Sequence, residues 1–251
     1  MTYPFSTPAS VTKLEVFEDV PERAMVVFAH PDDAEIGAGA TAALWATKGC
    51  EITFLQCTTG SSGSNDRTKT MADMERIRAE EQRAAAATIG ARNLMMLQHA
   101  DGFLDSTREF LGEVVHAIRK YRPEVVFAHD PYRMNNFQHR DHRNVGITTM
   151  DAVYPYARDH LHFPEHIERE GLEPHKVKYL MFWGADEPDT IVDVSASVDT
   201  KMEALMKHAS QIPGLSFGSE TDLRIRDRHR RAAKGYGFEF GEAFRKLTAR
   251  T

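Results

Sequence analysis

The sequence predicts an α/β fold: a Rossmann-like, doubly wound, mainly parallel sheet with helices on both faces. Short apolar runs alternate with longer stretches of helical pattern, the signature of βαβ units. Gly or Pro residues sit where the helical stretches stop. Chemically active residues cluster just after the apolar runs, on the carboxyl edge where open α/β sheets hold ligands.

The first strand is expected over Ala24–Ala29 (AMVVFA), followed by a helix over Ile36–Lys48 that Gly49 ends. A strand over Ile52–Cys57 leads to a helix over Met71–Ile89, closed by Gly90. Leu94–Leu97 is the third strand, Arg108–Tyr121 the next helix, stopped before Pro123. Val125–Ala128 is the fourth strand, His142–Ala157 a helix and Tyr179–Trp183 the fifth strand. Ser197–Ser210 and Gly241–Ala249 look helical. With no internal repeat and no low-complexity segment, the 251 residues read as one domain, 1–251, with 1–20 as an N-terminal extension.

Hydrophobic residues make up 41% and charged residues 27%, the balance of a soluble globular protein with a sizeable core. The net charge of -6 argues against a general nucleic-acid binder, which needs a basic excess. No stretch of about 18 apolar residues exists to span a membrane. The N-terminus has no basic start followed by an apolar block, so no leader is expected. Cys50 and Cys57 flank one strand; at about 3.3 Å per residue they lie too far apart for a disulfide. Free thiols fit a cytoplasmic location.

Three loops converge on the carboxyl edge: the one after the first strand, the Gly/Ser-rich Thr58–Asp66 and Asp130-Pro131 after the fourth. The first holds His30-Pro31-Asp32-Asp33-Ala34-Glu35. Asp32 and Glu35 suit a capping box at a helix start, but a cap requires neither the histidine nor the second aspartate. Gly37-Ala38-Gly39 is not a dinucleotide fingerprint, because the full G-x-G-x-x-G is absent. Histidine and aspartate are good zinc ligands. His30 and Asp33 can turn inward together, and one histidine from Gln138-His139-Arg140-Asp141-His142 would complete a three-ligand site with an open position, the catalytic arrangement. Asp32, outside that set, is free to act as a base on water.

His30-Pro31-Asp32-Asp33-Ala34-Glu35 resembles the HPDD-x-E signature of the LmbE/PIG-L family of zinc-dependent N-deacetylases. His139-Arg140-Asp141-His142 resembles its second signature, His-Pro-Asp-His. Arg78, Glu81, Ala84, Ala85 and Gly90 match its helix pattern, and Ala204–Gln211 its late Ala-Leu-x-x-His-x-Ser-Gln string, so the likeness runs from about Val26 to Gln211. The resemblance implies Zn2+ on His30, Asp33 and His142, and Asp32 as general base. It implies that His139, oriented by Asp141, stabilises the oxyanion or protonates the leaving amine. Asp141 also suits a cap for the helix beginning near His142. Arg78 is a candidate substrate contact, with membership of a solvated charge run as the alternative. Asp101 is a candidate acceptor for sugar hydroxyls, with a plain Asp-Gly turn as the alternative.

Three positions depart from the family pattern: Arg140 for proline, Phe137 for a tyrosine of some sugar deacetylases, and Thr59-Gly60-Ser61 for Arg-Gly-Glu. The expected activity is removal of an N-acyl group, acetyl by preference, from an amino sugar or related glycoconjugate. The alternatives are a zinc-dependent hydratase acting on an unsaturated dicarboxylic acid, which Arg140 would favour, and a non-enzymatic nucleotide-type binding protein. The partner is a small-molecule substrate, with no nucleic acid and no membrane, and a homo-oligomer is open. His160, His162, His166 and His175 read as a loop over the site or a subunit contact rather than a second metal site. His208 stands either behind the site or packed in a helix. The basic run Arg224–Arg231 (RIRDRHRR) reads as a solvated face.

Overall fold

The computed structural model describes residues 13–249, so positions 1–12 of the expected N-terminal extension lie outside the described residues. The strands are β1 (Glu15–Val16), β2 (Arg23–Phe28), β3 (Glu51–Thr58), β4 (Asn93–His99), β5 (Val125–His129), β6 (Tyr179–Trp183), β7 (Thr190–Asp193) and β8 (Gly241–Thr248). The helices are α1 (Asp33–Thr47), α2 (Met71–Ile89), α3 (Arg108–Tyr121), α4 (Arg140–Val153), α5 (Pro164–Glu170), α6 (Val198–Leu205) and α7 (Glu220–Ala233). All eight strands form one sheet in the order β1-β7-β8-β6-β5-β2-β3-β4. Every pairing is parallel except those of β8 with β6 and β7.

The apolar run of β2 is continuous because the sheet is covered on both faces. Val26 and Phe28 point into a core with Trp45, Ala85 and Ile89; Met25 and Val27 point into the other, with Val114, Ile118 and Val145. From β2 the chain moves outward through β3 and β4, then returns to place β5 on the other side of β2. The carboxyl ends of β2 and β5 thus flank a topological switch point, where such sheets leave a crevice.

Helix ends follow local chemistry. Thr70 and Asp73 form a capping box on α2, and Gly90 closes that helix at φ 84°. One expectation fails: Gly241–Ala249 is not a helix but β8. Its Glu, Ala, Arg, Lys and Leu favour helix by only tenths of a kcal/mol each. A ladder on both sides, with Tyr179–Trp183 and Thr190–Asp193, outweighs that preference. The basic run lies in α7 and is laced with ion pairs, Arg226 to Asp199 and Asp222, and Arg231 to Asp227.

Helix α1 is interrupted at Ala38, whose φ of -135° is not helical. A buried ion pair splices the break. The N–H groups of Ala40 and Thr41 donate to the Glu242 carboxylate at 3.2 and 2.7 Å. Lys201 Nζ donates to the Ile36 carbonyl at 3.0 Å and lies 2.8 Å from Glu242. The carbonyl and the amide that an unbroken helix would join to each other are each satisfied by one member of the pair.

The histidine-rich segment is tied to α3 and to the start of β5. Buried Arg119, near the end of α3, donates to the carbonyls of Tyr156, Ala157, Asp159, His162 and Phe163. His175 bonds Pro123 ahead of β5. The segment, including α5, is thus packed along α3, from Arg108, stacked on Phe163 at 4.7 Å, and His116, paired with Glu170, to Arg119. Among the described residues no helix is long and apolar enough to cross a membrane.

Candidate metal centre and active site

The turn after β2 brings two donors inward. The Asp33 N–H donates to the His30 carbonyl at 3.2 Å, and the His30 N–H donates to Asp33 Oδ2 at 2.7 Å. The first turn of α4, beyond β5, delivers His142. His30 Nδ1, Asp33 Oδ2 and His142 Nε2 then lie 3.2 Å from one another along all three edges of a triangle. Tetrahedral zinc with bonds of roughly 2.0–2.2 Å needs donors about 3.3 Å apart. Two imidazoles and a carboxylate at this spacing fit a divalent cation.

The surroundings also call for positive charge. His30 Nε2 is 3.1 Å from Asp101 Oδ1 and 3.1 Å from Asp141 Oδ2. Burial works to lower the His30 pKa, but Asp101, Asp141 and Asp33 outweigh it and raise it to about 11. Without a cation the imidazole itself must carry the charge. With a cation on Nδ1, Nε2 keeps its proton and donates to the carboxylates, the usual way a ligand histidine is oriented.

This geometry changes the roles expected for three residues. The carboxylate of Asp141 is fully buried and is held by His30 and by the N–H groups of Gly102 and Leu104, at 2.7 and 3.2 Å. Its tie to His139 is its backbone N–H, which donates to His139 Nδ1 at 3.2 Å; the N-cap of α4 is thus His139, not Asp141. Asp101 spends its oxygens on His30 and on the Ser62 N–H at 3.0 Å. Burial alone would raise its pKa, yet His30 holds it at about 2. Arg78, only 4% exposed, donates to the carbonyls of Gly60 and Pro31, tying two loops together. It is neither solvated nor on the open face. Gly60 is required beside it: a Cβ there would sit 2.7 Å from Pro31 and 3.0 Å from Arg78.

Asp32 adopts φ 106°, ψ -27°, a left-handed conformation that costs a non-glycine residue about 1–3 kcal/mol. Its N–H is held by Gln82 Oε1 at 3.0 Å; Gln82 in turn donates to Glu35 at 2.8 Å, and Glu35 lies 3.3 Å from His208 on the chain beyond α6. The late His string and HPDD-x-E thus meet behind Asp32. Burial, then the neighbouring Asp33, raise the Asp32 pKa to about 7, although Arg78, 3.5 Å away, opposes them.

Sequence reasoning passed over His129, the last residue of β5, one position beyond the expected strand. Its Nε2 accepts the Ala29 N–H at 3.3 Å and lies 3.5 Å from Asp33 Oδ2, and its ring stacks on His142 at 4.0 Å. Burial lowers its pKa to about 4, so it is a neutral plate that orients His142. Its place on the same edge as His30 was the signal available. His139 is brought close to His30 and His142, with possible donor atoms within 4.8 Å. Arg140 pairs with Asp105, so its charge is already answered.

Comparison with known proteins agrees with this architecture. The chain is 32% identical over 199 residues to a diacetylchitobiose deacetylase of Thermococcus kodakarensis, covering 79% of this chain and 73% of that one. It is 29% identical to a 1D-myo-inositol 2-acetamido-2-deoxy-alpha-D-glucopyranoside deacetylase of Rhodococcus erythropolis, covering 80% and 85%. Among solved structures, the N,N'-diacetylchitobiose deacetylase of Pyrococcus horikoshii superposes with a TM-score of 0.83 at 25% identity, over 91% of this chain and 84% of that one. The PIG-L family model, described as GlcNAc-PI de-N-acetylase, matches residues 25–153. With the family model spanning residues 25–153 and a relative 32% identical over most of both chains, the chain belongs to the PIG-L family.

Proposed function

We propose that this protein is a metal-dependent N-deacetylase that hydrolyses the N-acyl group, acetyl by preference, of an amino sugar or related glycoconjugate. The observation that carries the reading is the triangle of His30, Asp33 and His142 with its 3.2 Å edges, with Asp32 beside it. The deacetylase names of its relatives support the reaction class. We assign Zn2+ to the triangle, since two imidazoles and one carboxylate suit it. A cation held there supplies a Lewis acid for the acyl carbonyl and lowers the pKa of the attacking water.

The remaining steps fall to side chains. Asp32 takes the proton of the attacking water and passes it to the departing nitrogen, which leaves poorly until protonated; a pKa near 7 suits both transfers. His139 accepts the Asp141 N–H at Nδ1, so its neutral ring carries the proton on Nε2. That N–H donates to the oxyanion developing on the acyl oxygen, which favours the electrostatic role over general acid. Asp101 and Asp141 hold His30, and Arg78 holds the loops; these are positioning residues. Buried, unpaired Cys50 and Cys57 support a reducing, cytoplasmic setting.

The test is acetate release from a panel of N-acetylated amino sugars by chelator-stripped and zinc-reconstituted enzyme. Activity should appear only on reconstitution; full release in strong chelator ends the reading. An unsaturated dicarboxylate in the same panel tests the hydratase alternative, one of whose two supports, the charge of Arg140, is paired to Asp105.

A further inference from the structure

Helix α1 is not capped as α2, α3 and α7 are. Thr70, Thr107 and Ser219 start those helices in extended backbone, and each side-chain oxygen accepts the N–H three residues on. Asp32 starts α1, since its carbonyl accepts the Ile36 N–H at 3.0 Å, yet its carboxylate makes no cap bond. Extended backbone would offer that carboxylate to the N–H groups of the first turn. At φ 106° it takes none of them, and Oδ2 stands 3.5 Å from Arg78 instead. A carboxylate engaged in capping is tied to the helix end. The left-handed backbone therefore leaves Asp32 free for chemistry.

That conformation must be held. In a capping box the carboxylate at the third helical position accepts the N–H of the capping residue directly. Glu35 occupies that position, but an amide from α2 is inserted between the two. Gln82 Oε1 accepts the Asp32 N–H at 3.0 Å, and Gln82 Nε2 donates to Glu35 Oε1 at 2.8 Å. Gln82 and Glu35 are both 0% exposed, so no water competes for these bonds. The amide can face only one way. Turned over, its Nε2 would meet the Asp32 N–H and its Oε1 the Glu35 carboxylate, donor against donor and acceptor against acceptor. Glu35 is backed in turn by buried His208, whose Nε2 lies 3.3 Å from Oε2. The orientation of Gln82 is thus dictated from behind, and it passes to the backbone of Asp32.

We propose that Gln82 is a positioning residue for the base: by taking over the Asp32 N–H it holds Asp32 left-handed and leaves the Asp32 carboxylate free beside the donor triangle. The inference rests on the reading of Asp32 as base and extends it to a residue 50 positions further along the chain.

The test is a double-mutant cycle on acetate release by zinc-loaded enzyme, with the fastest substrate of the N-acetyl amino-sugar panel. Gln82→Met is close in shape and removes both hydrogen bonds. It should lower kcat by about ten- to a hundredfold, the scale of a misplaced catalytic group, with KM unchanged. In an Asp32→Asn background the same substitution should change kcat by less than about twofold, because the base it positions is gone. A merely structural loss would be equal in both backgrounds. A crystal structure of Gln82→Met should show Asp32 in extended backbone with its carboxylate on the Glu35 N–H. If Gln82→Met does not fold, Glu35→Met/Gln82→Met removes the buried charge together with its partner and carries the same expectations. An unchanged kcat, a loss confined to KM, a kcat loss that persists undiminished in Asp32→Asn, or an Asp32 still left-handed without Gln82 overturns the proposal. If the parent releases no acetate from any member of the panel, it is the deacetylase reading that has failed. The crystal structure, which needs no turnover, then still decides whether Gln82 holds Asp32.

Discussion

Asp32 and His30 sit two positions apart with opposite electrostatic demands. Asp32 is held in a left-handed backbone by Gln82, and its carboxyl is pushed up to about 7. Asp32→Asn should lower kcat by about 10²-fold or more while zinc content, measured by atomic absorption, stays at one per chain. Because the base must be ionised, activity in the parent should fall as pH drops through the Asp32 pKa. A dication at the triangle draws that value down, so the acid limb of kcat/KM should lie at or below about 7. His30 makes the complementary prediction. Its metal-free pKa of about 11 means that binding at Nδ1 must expel a proton at neutral pH. Titration calorimetry in buffers of different ionisation enthalpy should show about one proton released per zinc, and affinity rising with pH. Zinc binding without proton release would contradict the placement of His30 in the triangle.

At the scale of elements, two buried cations join segments that no local rule connects. Lys201 and Glu242 splice the break in α1 at Ala38 and so fix the orientation of its first turn, which carries Asp33. Lys201→Met leaves Glu242 buried and unpaired, a change that typically costs about 3–5 kcal/mol. The urea midpoint should fall accordingly; an unchanged midpoint would show that the splice contributes nothing. Arg119 holds the histidine-rich segment by five carbonyls near the end of α3. Arg119→Met should expose residues 156–163 to limited proteolysis and lower stability, while kcat of the folded fraction is unchanged. A parallel fall in kcat would place the segment nearer the site than its hydrogen bonds do. β8 carries a related lesson: its composition favours a helix, and only the strands on either side make it a strand.

For the molecule as a whole, function depends on the switch point between β2 and β5, because it gathers loops from distant parts of the chain. A cation bound there and absent from the unfolded chain should add about 2.7 kcal/mol at a hundred times its Kd. Scanning calorimetry with and without chelator should show the corresponding drop in Tm, and equal values would argue that the triangle holds no ion. Strands β2 to β6 and the helices α2 and α3 were legible in the sequence because each is decided locally, by apolar runs and by stop signals such as Gly90 and Pro123; the short strands β1 and β7 were not. The same held for the residue types in His30–Glu35 and His139–His142, since the chemistry of a donor is intrinsic to its side chain. What only the tertiary structure decided was partnership. Asp141 and Asp101 belong to His30, His129 stacks on His142, and Arg78 ties the loops of Gly60 and Pro31. Such pairings join positions far apart in the chain, and they are set by how the sheet is ordered and how its crossovers return. No short-range pattern encodes that ordering.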